Sequence, residues 1–110
     1  MTMQAPEIDV RGAAAHAGAV LLDVREPEEW AAGHAPQATH LPLGELVARL
    51  AEVPRDRPVV CICRSGNRSA RATQFLRAEG IDATNMVGGM RAWAEAGLPL
   101  VAAAGTPTVI

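Results

Sequence analysis

The chain has 110 residues, enough for one compact domain and too few for two. Apolar residues make up 49% and charged residues 20%, which excludes disorder as the main state. Ten arginines and no lysine stand against twelve acids, a formal charge of −2, which excludes a general nucleic-acid binder and makes any basic function local.

No stretch reaches the roughly eighteen consecutive apolar residues that span a bilayer. Residues 1–10 carry Glu7 and Asp9 but neither the basic flank nor the apolar run of a secretory leader, so a soluble chain that is not exported and contacts no membrane is expected. Cys61 and Cys63 are too few and too close for a disulfide framework, which points to a reducing, cytoplasmic compartment.

Apolar runs of about five residues alternate with helix-like segments, a pattern of α/β type. Residues 19–23 (Ala-Val-Leu-Leu-Asp), bounded by Gly18 and Pro27, predict a buried parallel strand. Pro27, the acids Glu28 and Glu29 and the stop at Gly33 predict a short helix around Trp30. Residues 39–41 predict a brief strand before Pro42. Leu46, Val47, Leu50 and Val53 then mark a helical stripe from near Gly44. The strongest strand is Val59-Val-Cys-Ile-Cys63, β-branched and uncharged, expected at the centre of the sheet. Ala72, Phe75 and Leu76 predict a helix with Ser69 as its N-cap and Gly80 as its stop. A short strand over 83–87 precedes Gly88-Gly89 and a last helix with Met90, Trp93 and Ala94 inward, ended by Gly97 and Pro99. Residues 102–110 are expected to form a loose tail behind a single domain over 1–101.

Residues 63–69 (Cys-Arg-Ser-Gly-Asn-Arg-Ser) run from the best strand into the best helix, the place where open α/β sheets bind ligands. Successive amides in such a turn form an anion-binding nest, and the helix adds its positive end. Gly66 and Asn67 are expected to take positive φ where the turn curls. A cysteine at the base of that cradle has its thiolate stabilised, which makes Cys63 the expected nucleophile. From 57 to 78 there are five arginines (57, 64, 68, 71 and 77) and no acid, a local excess suited to a compact anionic substrate.

Three segments together resemble the single-domain rhodaneses, a family of sulfurtransferases. They are Asp23-Val-Arg25-Glu-Pro-Glu-Glu-Trp30 followed by Gly33-His34 and Leu41-Pro42; residues 63–69; and Gly88-Gly89 with Trp93, Gly97, Leu98 and Pro99. The likeness runs from about Ile8 to Val101. It implies a mainly parallel central sheet of about five strands with helices on both faces, and Cys63 as the residue that becomes a persulfide. Gln37 stands where the family commonly has a turn glycine. Ser65 stands where thiosulfate-specialised two-domain members carry a cation, so thiosulfate is expected to be a poor or surrogate donor.

The expected substrate-binding residues are Arg64, Ser65, Gly66, Asn67, Arg68 and Ser69, whose N–H groups face an anionic sulfur. Arg68 can aim its fork at the substrate, and Arg64 can act as an attracting point charge. Asp23 and Arg25 are expected to support the site, Asp23 accepting bonds from the loop and Arg25 bridging nearby acids. Cys61 lies on the same strand face as Cys63 and is expected to pack in the core, the alternative being a resolving thiol. His34 and His40 lack metal-ligand spacing, His16 is expected to be exposed, and Trp30 and Trp93 to pack. No metal or organic cofactor is expected.

The expected reaction moves a sulfane sulfur from thiosulfate or a persulfide donor, through Cys63, to a thiol or cyanide. A protein donor or acceptor stays open. Two alternatives stand beside it: a sulfur-carrying or sensing module without turnover, and a cysteine phosphatase or arsenate reductase. The second reads Cys-x5-Arg, whereas here four residues separate Cys63 from Arg68.

Overall fold

A computed structural model describes residues 5–110; residues 1–4, which belong to the segment read as lacking a leader and to the expected 1–101 domain, lie outside the described residues. Five strands form one parallel sheet: β1 (Glu7–Ile8), β2 (Val20–Asp23), β3 (Ala38–His40), β4 (Val59–Ile62) and β5 (Ala83–Met86), in the order β1-β5-β4-β2-β3. The helices are α1 (Val10–Ala15), α2 (Pro27–Ala32), α3 (Asn67–Ala78) and α4 (Gly89–Glu95). The parallel α/β architecture is the one expected.

Strand β4 is buried throughout and its side chains alternate between two cores, as the period of two requires. Val59, Cys61 and Cys63 face Ala72 and Leu76 of α3, with Leu22 and Ala83 beside them. Val60 and Ile62 face the other way, onto Val10 and Ala13 of α1 and Met90 and Trp93 of α4. Trp93 is fully buried and its indole N–H reaches the Pro99 carbonyl at 2.9 Å. β2 and β4 are neighbours, yet the chain leaves them toward opposite edges of the sheet, to β3 and to β5. Their carboxyl ends therefore flank a topological switch point, where open sheets bind ligands.

Several local expectations are corrected. The helix from near Gly44 is two short 3-10 turns, Leu43–Glu45 and Leu50–Glu52. Val47 is 73% exposed, because the chain folds to bury Leu46 and Val53, and Gly44 weakens a helical start. Ser69 is not the N-cap of α3: that place falls to Gly66, and the Ser69 hydroxyl is turned inward. Ala94 is exposed, on the outer side of α4. Gln37 sits in its turn without positive φ, so the glycine's freedom is not needed there. Sequence patterning did not predict β1 or α1. A two-residue strand is too short for a pattern, and α1 rests on its Asp9 cap, which accepts from the Gly12 amide at 2.7 Å.

The tail is tied down rather than loose. The amides of Ala103 and Thr108 donate to the carbonyls of Ala31 and Ala32, and Val109 packs on the α1–α4 core. A Cβ at Gly33 would collide with the Thr108 backbone, so this glycine lets the tail approach α2.

Candidate active site

Cys63 follows the last residue of β4, and residues 63–69 curl from the strand into α3. Gly66 takes φ +110°, a left-handed geometry that glycine adopts without a steric penalty. Among the described residues no non-glycine has positive φ, so Asn67, expected to share the curl, is ordinary helix. The turn aims the Gly66 amide at the Cys63 sulfur, 3.0 Å away, and brings the Ser69 hydroxyl to 3.2 Å. The loop carbonyls point outward to the first turn of α4: Met90 N–H donates to Cys63 O at 2.9 Å and Arg91 N–H to Arg64 O at 3.1 Å. That docking explains Gly89, where a Cβ would collide with the carbonyls of Cys63 and Arg64.

The two cysteines share a strand face, yet their thiols shift in opposite directions. Burial pushes Cys61 up to about 11, against a weaker bond from Thr73. At Cys63 burial also opposes ionisation, but the Ser69 hydroxyl and the amides of Ser69, Gly66 and Ser65 outweigh it, and the thiol falls below its ordinary value. Cys61 is thus a core residue, and Cys63 has the environment of a nucleophile. Cys63 is only 1% exposed, lying at the floor of its loop.

Around the sulfur, Arg64, Ser65 and Asn67 are exposed. The Arg64 side chain turns to the tail, its Nε donating to the Ile110 carbonyl oxygen at 2.9 Å. Arg68 closes its fork on Glu29 of α2, with two bonds of 2.7 and 2.8 Å. That fork, opposed by burial and helped by the Glu26 amide, holds the Glu29 carboxyl at about 2. Asp23 and Arg25 are both fully buried and pair with each other at 2.8 Å. The carboxylate takes the Arg25 amide, Nε and one terminal nitrogen, so Arg25 and not the loop occupies it, contrary to expectation. Arg25 also donates to the Gly33 carbonyl and accepts at its own carbonyl from His40 Nε2. Trp30 stacks on His34 and on His40, with centroids 3.5 and 4.9 Å away, so it braces the segment after β2.

Sequence reasoning missed two residues of the site. Glu29 was visible only as a helix-start acid. Asn85 is 4% exposed; its Oδ1 accepts from the Ser69 hydroxyl, and its Nδ2 donates to the Gly66 carbonyl at 3.1 Å. The available signal was a polar amide inside a strand, and only the Cys61–Asn85 register shows why it is there.

The family model described as a rhodanese-like domain matches residues 8–96. The chain belongs to the rhodanese-like family. Its sequence is similar to a sulfurtransferase of Allochromatium vinosum, 45% identical over 87 residues, covering 78% of this chain and 81% of that protein. In structure, this rhodanese-like domain is similar to a rhodanese-related protein from Thermoplasma volcanium, with TM-score 0.83 and 33% identity over 87% of this chain and 97% of the other. It is also similar to a thiosulfate sulfurtransferase from Pseudomonas aeruginosa, with TM-score 0.73 and 28% identity; there the match covers 94% of this chain and 21% of the other. Among the described residues no helix is long and apolar enough to cross a membrane.

Proposed function

We propose that this domain is a sulfurtransferase that carries a sulfane sulfur on Cys63, from thiosulfate or a persulfide donor to a thiol or cyanide. The observation that supports this most is the pair of donors on one sulfur, the Gly66 amide at 3.0 Å and the Ser69 hydroxyl at 3.2 Å. They favour a thiolate where burial alone would suppress it.

In the first half-reaction the Cys63 thiolate attacks the outer sulfur of the donor. A new S–S bond forms, the donor's S–S bond breaks, and sulfite or a thiolate leaves with the electron pair. In the second, the acceptor attacks the outer sulfur of the persulfide and Cys63 departs as thiolate. The covalent intermediate divides one transfer into two easier ones.

Amides of residues 64–69 hold the anionic outer sulfur, and the amino end of α3 adds its positive potential. The Arg68 fork, occupied by Glu29, contributes field and loop position rather than a direct clasp. This arrangement favours sulfur over phosphoryl chemistry, because the fork of Arg68, the arginine that ends the loop, is held by Glu29. Asp23 and Arg25 brace the neighbouring strand end. We place the reaction in the cytoplasm, where reducing conditions keep both thiols free and supply acceptor thiols.

Intact mass spectrometry after incubation with thiosulfate or glutathione persulfide tests the reading. A gain of one sulfur that disappears in Cys63→Ser supports it, and no gain with either donor overturns it. A persulfide that forms but reaches neither cyanide nor small thiols assigns the domain to relay toward a protein acceptor.

A further inference from the structure

The Ser69 hydroxyl has one proton and two acceptors. On one side is the Cys63 sulfur at 3.2 Å, and on the other is Asn85 Oδ1. The Asn85 amide cannot turn to offer a donor instead, because its Nδ2 is engaged with the Gly66 carbonyl at 3.1 Å. Ser69 is fully buried and Asn85 nearly so, so an acceptor that loses its donor there is penalised. In the neutral state all partners are satisfied: the Cys63 S–H donates to Ser69 Oγ, and the Ser69 O–H donates to Asn85. In the thiolate state the hydroxyl is drawn to the sulfur and Asn85 Oδ1 gives it up.

We infer that Asn85 is a positioning residue that competes with Cys63 for the Ser69 proton and so sets how readily the nucleophile ionises. The hydroxyl then rotates with the charge during turnover. It faces the sulfur while Cys63 is thiolate and returns to Asn85 when the persulfide bond leaves that sulfur uncharged. No proton leaves the site in this motion. Asn85 also holds the Gly66 carbonyl, and with it the neighbouring amide that faces the sulfur.

The ionisable surroundings are few. Arg68 of α3 is neutralised by Glu29 of α2, and Asp23 at the end of β2 pairs with Arg25, whose Nη1 has no hydrogen-bond partner among the described residues. Cys61 shares the strand face, and α4 offers Arg91, whose residue is exposed. β5 contributes no ionisable side chain. Asn85 is therefore the polar group through which β5 acts on Cys63.

This role rests on Cys63 being the reactive thiol, and its test does not use sulfur transfer. The rate of Cys63 alkylation by iodoacetamide is followed against pH by peptide mass, in the full chain and in Asn85→Leu, Ser69→Ala and the double variant. Removing the competing acceptor frees the Ser69 proton for sulfur, so Asn85→Leu should carry about tenfold more thiolate than the parent at a pH below the parent's midpoint. In the Ser69→Ala background the same change should have no such effect. An unchanged or raised midpoint in Asn85→Leu, or an equal shift in both backgrounds, overturns the inference.

If Asn85→Leu does not fold, Asn85→Asp serves. Its carboxylate holds the proton more firmly, so its upward shift should be larger with Ser69 present than without, and equal shifts overturn the inference. A parent that gains no sulfur from either donor refutes the sulfur-transfer reading. A parent that gains sulfur while the Asn85 variants keep its midpoint refutes only the role of Asn85.

Discussion

At Cys63 two effects of opposite sign meet. Burial disfavours charge, while the Ser69 hydroxyl and three backbone amides favour it, and the donors prevail. Two residues away on the same face, Cys61 has burial with little to oppose it and moves the other way. Ionisation therefore divides between neighbouring thiols that are both buried. The depth of Cys63 has its own consequence: with 1% of the residue exposed, an electrophile must arrive on a narrow stem. Iodoacetamide should modify Cys63 at least about tenfold faster than a bulky maleimide, after each rate is normalised to a free thiol in solution. Equal normalised rates would show an open sulfur and remove this basis for donor selection.

Among the elements, α2 and α3 are joined across the carboxyl edge of the sheet by Glu29 and Arg68. Glu29 also closes the capping box of α2, accepting from the Glu26 amide at 3.0 Å, so one carboxylate serves a helix start and the Cys63 loop. The Arg68 fork holds its carboxyl at about 2 in the fold, against an ordinary value of 4.5. As pH falls the unfolded chain takes up the proton first, so the stabilisation is complete above the unfolded value and is lost between about 4.5 and 2. Glu29→Gln should lower stability by about 1 kcal/mol near neutral pH, after allowance for solvent screening. Urea unfolding should show that gap shrinking by pH 3, and a gap independent of pH would assign the loss to packing instead of charge. On the other side of the loop, the Met90 and Arg91 amides of α4 bind the carbonyls that the turn directs outward, at a close approach that Gly89 allows.

Over the whole molecule, the β1-β5-β4-β2-β3 order brings the loop after β4 beside the Asp23–Arg25 pair after β2. The last nine residues close the arrangement from outside, bonding to Ala31 and Ala32, packing Val109 on the core and ending at the Arg64 side chain. Removing residues 102–110 should cost about 1–3 kcal/mol. Thermal unfolding should then show Tm lower by about 5–15 °C. An unchanged Tm would mean that these contacts add nothing to the fold.

The parallel α/β class, the central place of β4 and the turn after it were legible because consecutive residues carry them: an uncharged β-branched run, a glycine where the chain must curl, and helical spacing after it. The stripe at Leu46, Val47, Leu50 and Val53 misled, because spacing states that residues can share a face and not that a helix is the cheapest way to bury them. Likewise the tail has no periodicity, and its contacts come from surfaces that exist only after α2 and the core have formed. What the sequence alone determined is the α/β class and a cysteine set in a glycine turn between a central strand and a helix. Only tertiary structure decided which groups surround Cys63 and its loop, since Glu29 stands 39 residues from Arg68 and Asn85 lies on another strand. Such pairings depend on strand order and register, which the whole core selects at once.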